Sequence, residues 1–474
     1  MQFHQAGTNF LAECFSFLTA MEAAKRSPYD AGDNVITIGV GYNLTSGTAA
    51  LRDATFTQFG LKTSARNFTG TDASILLEKS YLSRLDAAIA AGPSGIASLN
   101  PIMAERAAKA ASAPAFATYV GTSSPRANFQ FSLGQLGIDE MKAVFAVGSV
   151  PYINAVNSQL GYTAQNMPAG FADSWEKVAL VSLEYNGFNL SLLKAAINSG
   201  DRASAWFQIR YEINYLYSRR VGLATPTLKE QDLLNNGVDK GWAKRRYAES
   251  SLFDLYDDPA HVTSVEAESV FRAFIQRRVR VAGYEATYGE PFGGGTATQG
   301  NQLAAAASDP NYSLVVGTLG LAASLDPAKT ALLADLRTSN VDLVTNLQDA
   351  QWLSTNIYLN GNAGGTLDSL AYQTGNFQIN GAPDLMIGGS GADTLKGNKG
   401  NDLLIGNAGN DILEGGAGDD ILKGGAGGDT YIFNVGDGTD LILDDGEGDR
   451  VFIGGVEKKP IGGFPPASQY LSPL

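Results

Sequence analysis

The chain has a single cysteine, Cys14, and only two histidines, His4 and His261, in 474 residues. One cysteine excludes an internal disulfide, so stability has to come from packing or from a bound metal. Two histidines far apart in sequence, neither near a recognisable partner motif, speak against a Ser–His–Asp triad and against a histidine zinc site. Basic residues are also scarce: 34 Lys and Arg stand against 48 Asp and Glu, a formal net charge of −14. That balance argues against nucleic acid, and against an anionic membrane surface, as a partner. No apolar run is long enough to span a bilayer. The N-terminus does not read as a signal peptide, because the apolar stretch from Phe10 to Met21 is broken by Glu13 and no basic residue precedes it. Phosphate-loop and nucleophile-elbow patterns are missing as well.

Glycine, in contrast, is plentiful at 55 residues, and toward the C-terminus it is periodic. Between Gly388 and Ile432 one nine-residue phrase occurs five times: GGSGADTLK, GNKGNDLLI, GNAGNDILE, GGAGDDILK, GGAGGDTYI. An aspartate returns in each (Asp393, Asp402, Asp411, Asp420, Asp429), and an apolar residue follows two places later (Leu395, Leu404, Leu413, Leu422, Tyr431). A flexible glycine-rich linker would not hold aspartate and leucine in step in this way. The period resembles the calcium-binding nonapeptide repeat of RTX proteins, which stack as a parallel β-roll. Glycines permit the tight turns, and carbonyls with aspartate carboxylates supply the hard oxygens that calcium takes. The expected metal positions are Asp384, Gly389, Gly391, Asp393, Gly400, Asp402, Gly409, Asp411, Gly416, Gly418, Asp420, Gly425, Gly427 and Asp429. From Gly388 to Arg450 the stretch holds thirteen acidic residues and four basic ones. Without a cation its turns repel one another, so the segment is expected to fold only where calcium is present. Residues 380 to 388 keep Asp384 in register without the glycines and read as a worn opening turn. The resemblance implies an extracellular protein exported through a type I secretion apparatus. The tail after Ile453 is the expected place for its uncleaved signal.

At the other end, Leu11, Cys14, Phe15 and Leu18 recur at i, i+3, i+4 and i+7, the stripe of an amphipathic helix opened by Thr8–Asn9. Cys14 therefore reads as core rather than as a nucleophile. Glu22 falls on the same face, about three turns on; it either serves as a proton donor or reaches solvent and pairs with Lys25 or Arg26. A Tyr–Asp turn follows, and then a strand reading Thr37-Ile38-Gly39-Val40-Gly41. Together these resemble the phage-type lysozyme family: a helix-borne glutamate, a Tyr/Asp hairpin and a T-I-G-x-G strand. Residues 71 to 89, with Leu77, Tyr81, Leu85 and Ala88 on one face, resemble the helix after the hairpin. Residues 173 to 187 resemble the family's central buried helix, and residues 241 to 250, with Arg245 and Arg246, its closing helix. Insertions are expected at 90 to 172 and at 218 to 238.

The resemblance implies cleavage of the β-1,4 bond of peptidoglycan by inversion, with Glu22 as general acid and Thr37 holding a water. A second carboxylate must lie roughly 6.5–9.5 Å across the cleft. The family's aspartate position is Ala31 here; Asp30, one residue earlier, is the first choice, and Asp33 lies two residues later. Related bacterial toxins place an aspartate where this chain has Asn43. Between the two ends, residues 265 to 281 read as an amphipathic helix with a basic second half, and 289 to 301 as a glycine-rich linker. Residues 302 to 352 suggest further helices with no functional reading.

The expected fold is multidomain. An α+β, mostly helical lysozyme-like domain spans 1–260, and a helical bridge 261–359. A parallel β-roll with capping turns occupies 360–453, followed by the tail 454–474. The expected function is a secreted, calcium-dependent muramidase. The alternative is a non-catalytic calcium-binding matrix protein that binds glycan on a lysozyme-like scaffold.

Overall fold

A computed structural model describes residues 1–7, 9–22, 25–30, 36–45, 47–121, 136–212, 240–290, 296–308, 320–339, 356–359, 364–369, 381, 383–444, 448–458 and 468–471. These residues form two compact units: His4–Leu190, and Ser191–Leu474 together with Met1–Phe3. Among the described residues no helix is long and apolar enough to cross a membrane.

In the first unit the helix Phe10–Glu22 is opened by Asn9, whose Oδ1 accepts from the Ala12 amide at 3.1 Å. Its buried face carries Cys14, Phe15, Phe17 and Leu18, whereas Leu11, on the expected stripe, is 36 % exposed. Burial pushes the Cys14 thiol well above its ordinary range, so it behaves as a small apolar side chain. Three antiparallel strands follow in sequential order: β1 (Lys25–Asp30), β2 (Ile36–Gly39) and β3 (Tyr42–Asn43). Gly39 and Gly41 turn the chain between β2 and β3 at φ +67° and +86°, a region that disfavours side chains, which accounts for both glycines of the T-I-G-x-G stretch. The rest of this unit is helical, including Ala73–Ala90 and Pro93–Ser112. The helix Trp175–Tyr185 buries every residue from Glu176 to Leu183; small residues such as Ala179 and Ser182 let it lie inside the unit rather than on it.

Within Ala73–Ala90 the buried face holds the predicted Tyr81, Leu85 and Ala88 and also Leu82 and Ile89, whereas the predicted Leu77 is only half-buried; the same face carries Glu78, which is 0 % exposed. Glu78 meets Arg106 in a two-pronged ion pair, Nε to Oε2 at 2.7 Å and Nη2 to Oε1 at 2.8 Å. It also accepts from the Lys62 amide at 2.8 Å, while Arg106 donates to Gly60 O at 3.1 Å.

The second unit begins with helices, among them Lys240–Phe253 and Ser264–Tyr288. Thr263 and Glu266 close a capping box at the start of Ser264–Tyr288. Arg245 and Arg246 are buried here and face Glu249, at 3.1 and 2.5 Å. The basic half of Ser264–Tyr288 is used in two ways: Arg277 and Arg280 pair with Glu212, and buried Arg278 lies 5.0 Å over the ring of Tyr358. In the stretch read as a linker, Thr298 and Gln299 donate back to Ala286 O and Thr287 O at 3.1 and 2.9 Å.

Twelve strands then build the roll: β4 (Asn356–Leu359), β5 (Gly365–Asp368), β6 (Asp384–Ile387), β7 (Asp393–Lys399), β8 (Leu403–Ala408), β9 (Ile412–Ala417), β10 (Ile421–Ala426), β11 (Thr430–Phe433), β12 (Leu441–Asp444), β13 (Arg450–Ile453), β14 (Val456–Lys458) and β15 (Ser468–Leu471). From β4 to β13 they alternate between two six-stranded sheets, ordered β15-β12-β10-β8-β6-β4 and β14-β13-β11-β9-β7-β5. Within each sheet the parallel neighbours are 18 residues apart over the repeats, as in Leu385↔Leu403↔Ile421 and Thr394↔Ile412↔Thr430. One repeat therefore makes one strand and one turn, and two repeats make one full coil. Leu395, Leu404, Leu413, Leu422 and Tyr431 are 0 % exposed and form a single core with Tyr358, Met386, Ile442 and Val451, against which Ile275 of Ser264–Tyr288 also packs. At the C-terminal end both sheets switch to antiparallel pairing: β14 folds back on β13, and β15, from the tail, runs along β12. Both sheets thus continue past their last parallel strand instead of leaving it as a bare edge.

Candidate metal centre

The repeat turns stack in two rows, one along each edge of the roll, and the aspartates tie each row together. The backbone amide of each aspartate donates to Oδ1 of the aspartate two repeats later. Asp384 to Asp402 is 2.7 Å, and Asp393 to Asp411, Asp402 to Asp420 and Asp411 to Asp429 are each 2.8 Å. The ladder runs on through two residues outside the strict period, Asp420 to Asp440 at 3.1 Å and Asp429 to Asp449 at 2.8 Å. The nine-residue count misses these because the later turns are longer; their signal is the glycine just ahead of each aspartate, G-x-D in GDGTD and G-D in GEGD. All six predicted aspartates are buried, none more than 3 % exposed.

With Oδ1 engaged, the second oxygen is what remains for a ligand. Oδ2 of Asp402, Asp411 and Asp420 is buried and has no hydrogen-bond partner among the described residues. A buried carboxylate oxygen left so is costly unless something fills the place beside it. The glycine that opens each repeat marks that place. A Cβ on Gly397 would run into Asp402 Oδ2 and Gly415 O, and one on Gly406 into Asp411 Oδ2 and Gly424 O. Each is a small cradle of one carboxylate oxygen and a main-chain carbonyl of the stacked turn, closed to any side chain. Gly397 and Gly406, which the predicted positions omit, thus line these cradles. Among the predicted glycines, Gly418 and Gly427 stand at φ +151° and +142° with their α-carbons facing Gly400 O and Gly409 O, so a side chain at either would break the stack.

Among the described residues no three acidic, histidine or cysteine side chains converge. A cation here would be held by carbonyls with one carboxylate per turn, a hard-oxygen set that suits calcium and does not suit zinc or copper.

Residues 380–442 match the family model of the RTX calcium-binding nonapeptide repeat in four overlapping copies, 380–413, 387–422, 397–431 and 405–442. The C-terminal segment is thus a parallel β-roll of RTX repeats, and those repeats imply calcium binding within it. No curated protein matches the chain.

The charge state of the metal-free cradle sets a pH dependence. Burial, with some repulsion from Asp384, pushes Asp402 up to about 7, and burial pushes Asp420 up to about 8; Asp411 moves in the same direction. In an unfolded chain such carboxyls titrate near ~3.9. A carboxyl whose pKa is higher folded than unfolded favours folding while it holds its proton. That contribution is complete below the unfolded value and is lost as pH climbs through the folded one. The calcium-free roll is therefore expected to lose stability between about pH 4 and pH 8. Calcium needs the ionised form, so its affinity runs the other way. Titration at pH 5.5 and 8.5 should give a dissociation constant roughly ten- to a hundredfold weaker at the acid value; a flat profile would mean the carboxylates are already ionised in the empty cradle.

The residues singled out at the front lie in the first unit. Glu22 ends the helix Phe10–Glu22, Asp30 ends β1 opposite Ile36, and Thr37 sits in β2 opposite Tyr29 on one side and Asn43 on the other. Thr37 is buried, 4 % exposed. The side chains of Glu22 and Asp30, and the whole of Ala31 and Asp33, lie outside the described residues. The histidines have structural partners: His4 Nδ1 lies 2.7 Å from Glu176 Oε1, and exposed His261 lies 2.8 Å from Asp258 Oδ2.

Proposed function

We propose that the chain is an exported protein whose roll folds on calcium outside the cell and whose first unit hydrolyses peptidoglycan. In this reading Glu22 is the general acid, Asp30 activates the water and Thr37 holds it. The observation that carries it is the order and pairing of elements. A helix ending in glutamate leads straight into a three-stranded antiparallel sheet, in which Thr37 stands opposite Tyr29 and one place from the partner of Asp30. A buried helix of small residues, Trp175–Tyr185, follows later in the same unit. Such an arrangement lets two carboxylates approach a glycosidic bond from opposite sides. Export is supported by the repeats and by the excess of carboxylates over basic residues between Gly388 and Arg450, which only abundant calcium would neutralise. The tail is proposed as the part the export apparatus reads.

One observation favours a second reading, a glycan-binding protein without catalysis. Asn43, an amide and not a base, is the residue in register with Thr37. Digestion of purified peptidoglycan by the calcium-loaded protein separates the two. New muramic-acid reducing ends are expected, reduced about 10²–10⁴-fold in Glu22→Gln. If neither protein releases fragments while both bind the polymer, the hydrolase reading is lost and the binding one stands.

A further inference from the structure

The gaps between stacked turns are of two kinds, and the second residue of the upper repeat separates them. That residue is Gly389 in the first repeat, Asn398 and Asn407 in the next two, and Gly416 and Gly425 in the last two. Both asparagines adopt the left-handed backbone of their glycine counterparts, φ +75° and +73°.

Their amides reach down into the gap below. Asn407 Nδ2 donates to Gly388 O of the turn beneath at 2.8 Å, and in the same gap Asp393 Oδ2 accepts from the Gly389 amide at 2.7 Å. On the other edge, Asn398 Nδ2 donates to Asp368 Oδ1 and Ser369 Oγ, at 3.0 and 2.9 Å, and the Ser369 hydroxyl donates to Gly397 O. Under Gly416 and Gly425 no side chain is present to do this, and there Asp402 and Asp411 each keep a buried Oδ2 with no hydrogen-bond partner among the described residues. Where asparagine stands above, the oxygens are satisfied by N–H and O–H donors; where glycine stands above, they are left for a cation.

We propose that Asn398 and Asn407 close the gaps beneath them with their carboxamides in place of calcium, and that among the described turns calcium is confined to gaps roofed by glycine at the second position. This rests on the reading of the roll as a calcium binder and assigns which of its gaps are sites. A calcium ion takes six to eight oxygens; a gap whose carbonyl and carboxylate already accept short hydrogen bonds has too few to offer, and an ion there would first have to displace the amide.

Calcium stoichiometry of the intact protein, measured by equilibrium dialysis and by calorimetry at pH 8, tests this, with folding of each variant checked by circular dichroism in excess calcium. Asp411→Asn is expected to lose one ion and Asp393→Asn none. Asn407→Gly is expected to gain one; glycine is what three of the five repeats hold at this position, and it adopts the required backbone freely, so this variant decides the matter even if an aspartate variant fails to fold. The proposal is overturned if Asp393→Asn loses an ion as Asp411→Asn does, or if Asn407→Gly leaves the count unchanged. A wild-type protein that binds no calcium at all would overturn the calcium reading itself, a result distinct from either.

Discussion

Stripping calcium from the intact protein at pH 8 is expected to dissolve the two sheets between Asn356 and Ile453 and to leave the helices of His4–Leu190 folded. Each repeat orders nine residues around one buried apolar side chain, a poor return for the conformational entropy lost. In the same step it brings aspartates into a buried column, where Asp402 and Asp420 resist ionisation. Calcium offsets both penalties. At a free concentration a hundred times its dissociation constant, each site adds ~2.7 kcal/mol to the folded state. The two cradles with an open Oδ2 on Asp402 and Asp411 would then contribute roughly 5 kcal/mol together, by the same relation, near the lower end of the whole stability of an ordinary domain. The measurement is limited trypsin digestion with and without chelator, followed by mass. Cuts after Lys396, Lys399 and Lys423 should appear only in chelator, together with loss of the β signal in circular dichroism. Resistance at those lysines in chelator would show that the core alone holds the roll, and the structural role of the metal would fall.

The second large effect is expected far from the roll. Glu78→Ala should destabilise the His4–Leu190 unit by about 3–5 kcal/mol, because it strands the Arg106 guanidinium, 2 % exposed, without its partner. For a unit of this size that is a fall in melting temperature of about 2–4 °C per kcal/mol. Replacing the pair together, Glu78→Leu with Arg106→Met, should recover much of the loss, since two apolar side chains can occupy the same space. Recovery will be incomplete, because the Lys62 amide and Gly60 O lose the partners that the pair supplied. Denaturant unfolding of the full chain in calcium, with the two singles and the double, gives the coupling directly. Equal losses in all three would mean that the cost lies in packing rather than in the buried charge.

How much of this was open to a reader of the sequence differs between the two ends. In the roll a contact list is written along the chain: Leu404 touches what stands nine and eighteen residues away, so a local period is also the tertiary pattern. The helix Phe10–Glu22 was legible in the same sense from Cys14, Phe15 and Leu18, and from Asn9 at its start. Leu11 was misplaced because periodicity gives the direction of a face and not how far the neighbouring elements cover it. Glu78 was harder to foresee. It reads as an ordinary surface residue until Arg106, 28 positions on, is brought against it.

The sequence by itself determined the repeat, its turn chemistry, the buried row of apolar residues and the need for a hard cation. Each of these follows from residue types at fixed short spacing. Tertiary structure alone decided that stacking partners are eighteen residues apart and not nine, because successive strands go to opposite sheets. It also decided which buried charges meet, and which carboxylate oxygens remain open once Asn398 and Asn407 have reached the turns beneath them. Those outcomes depend on what lies across a gap or between two packed helices. No property of a single segment encodes that until the segments are in contact.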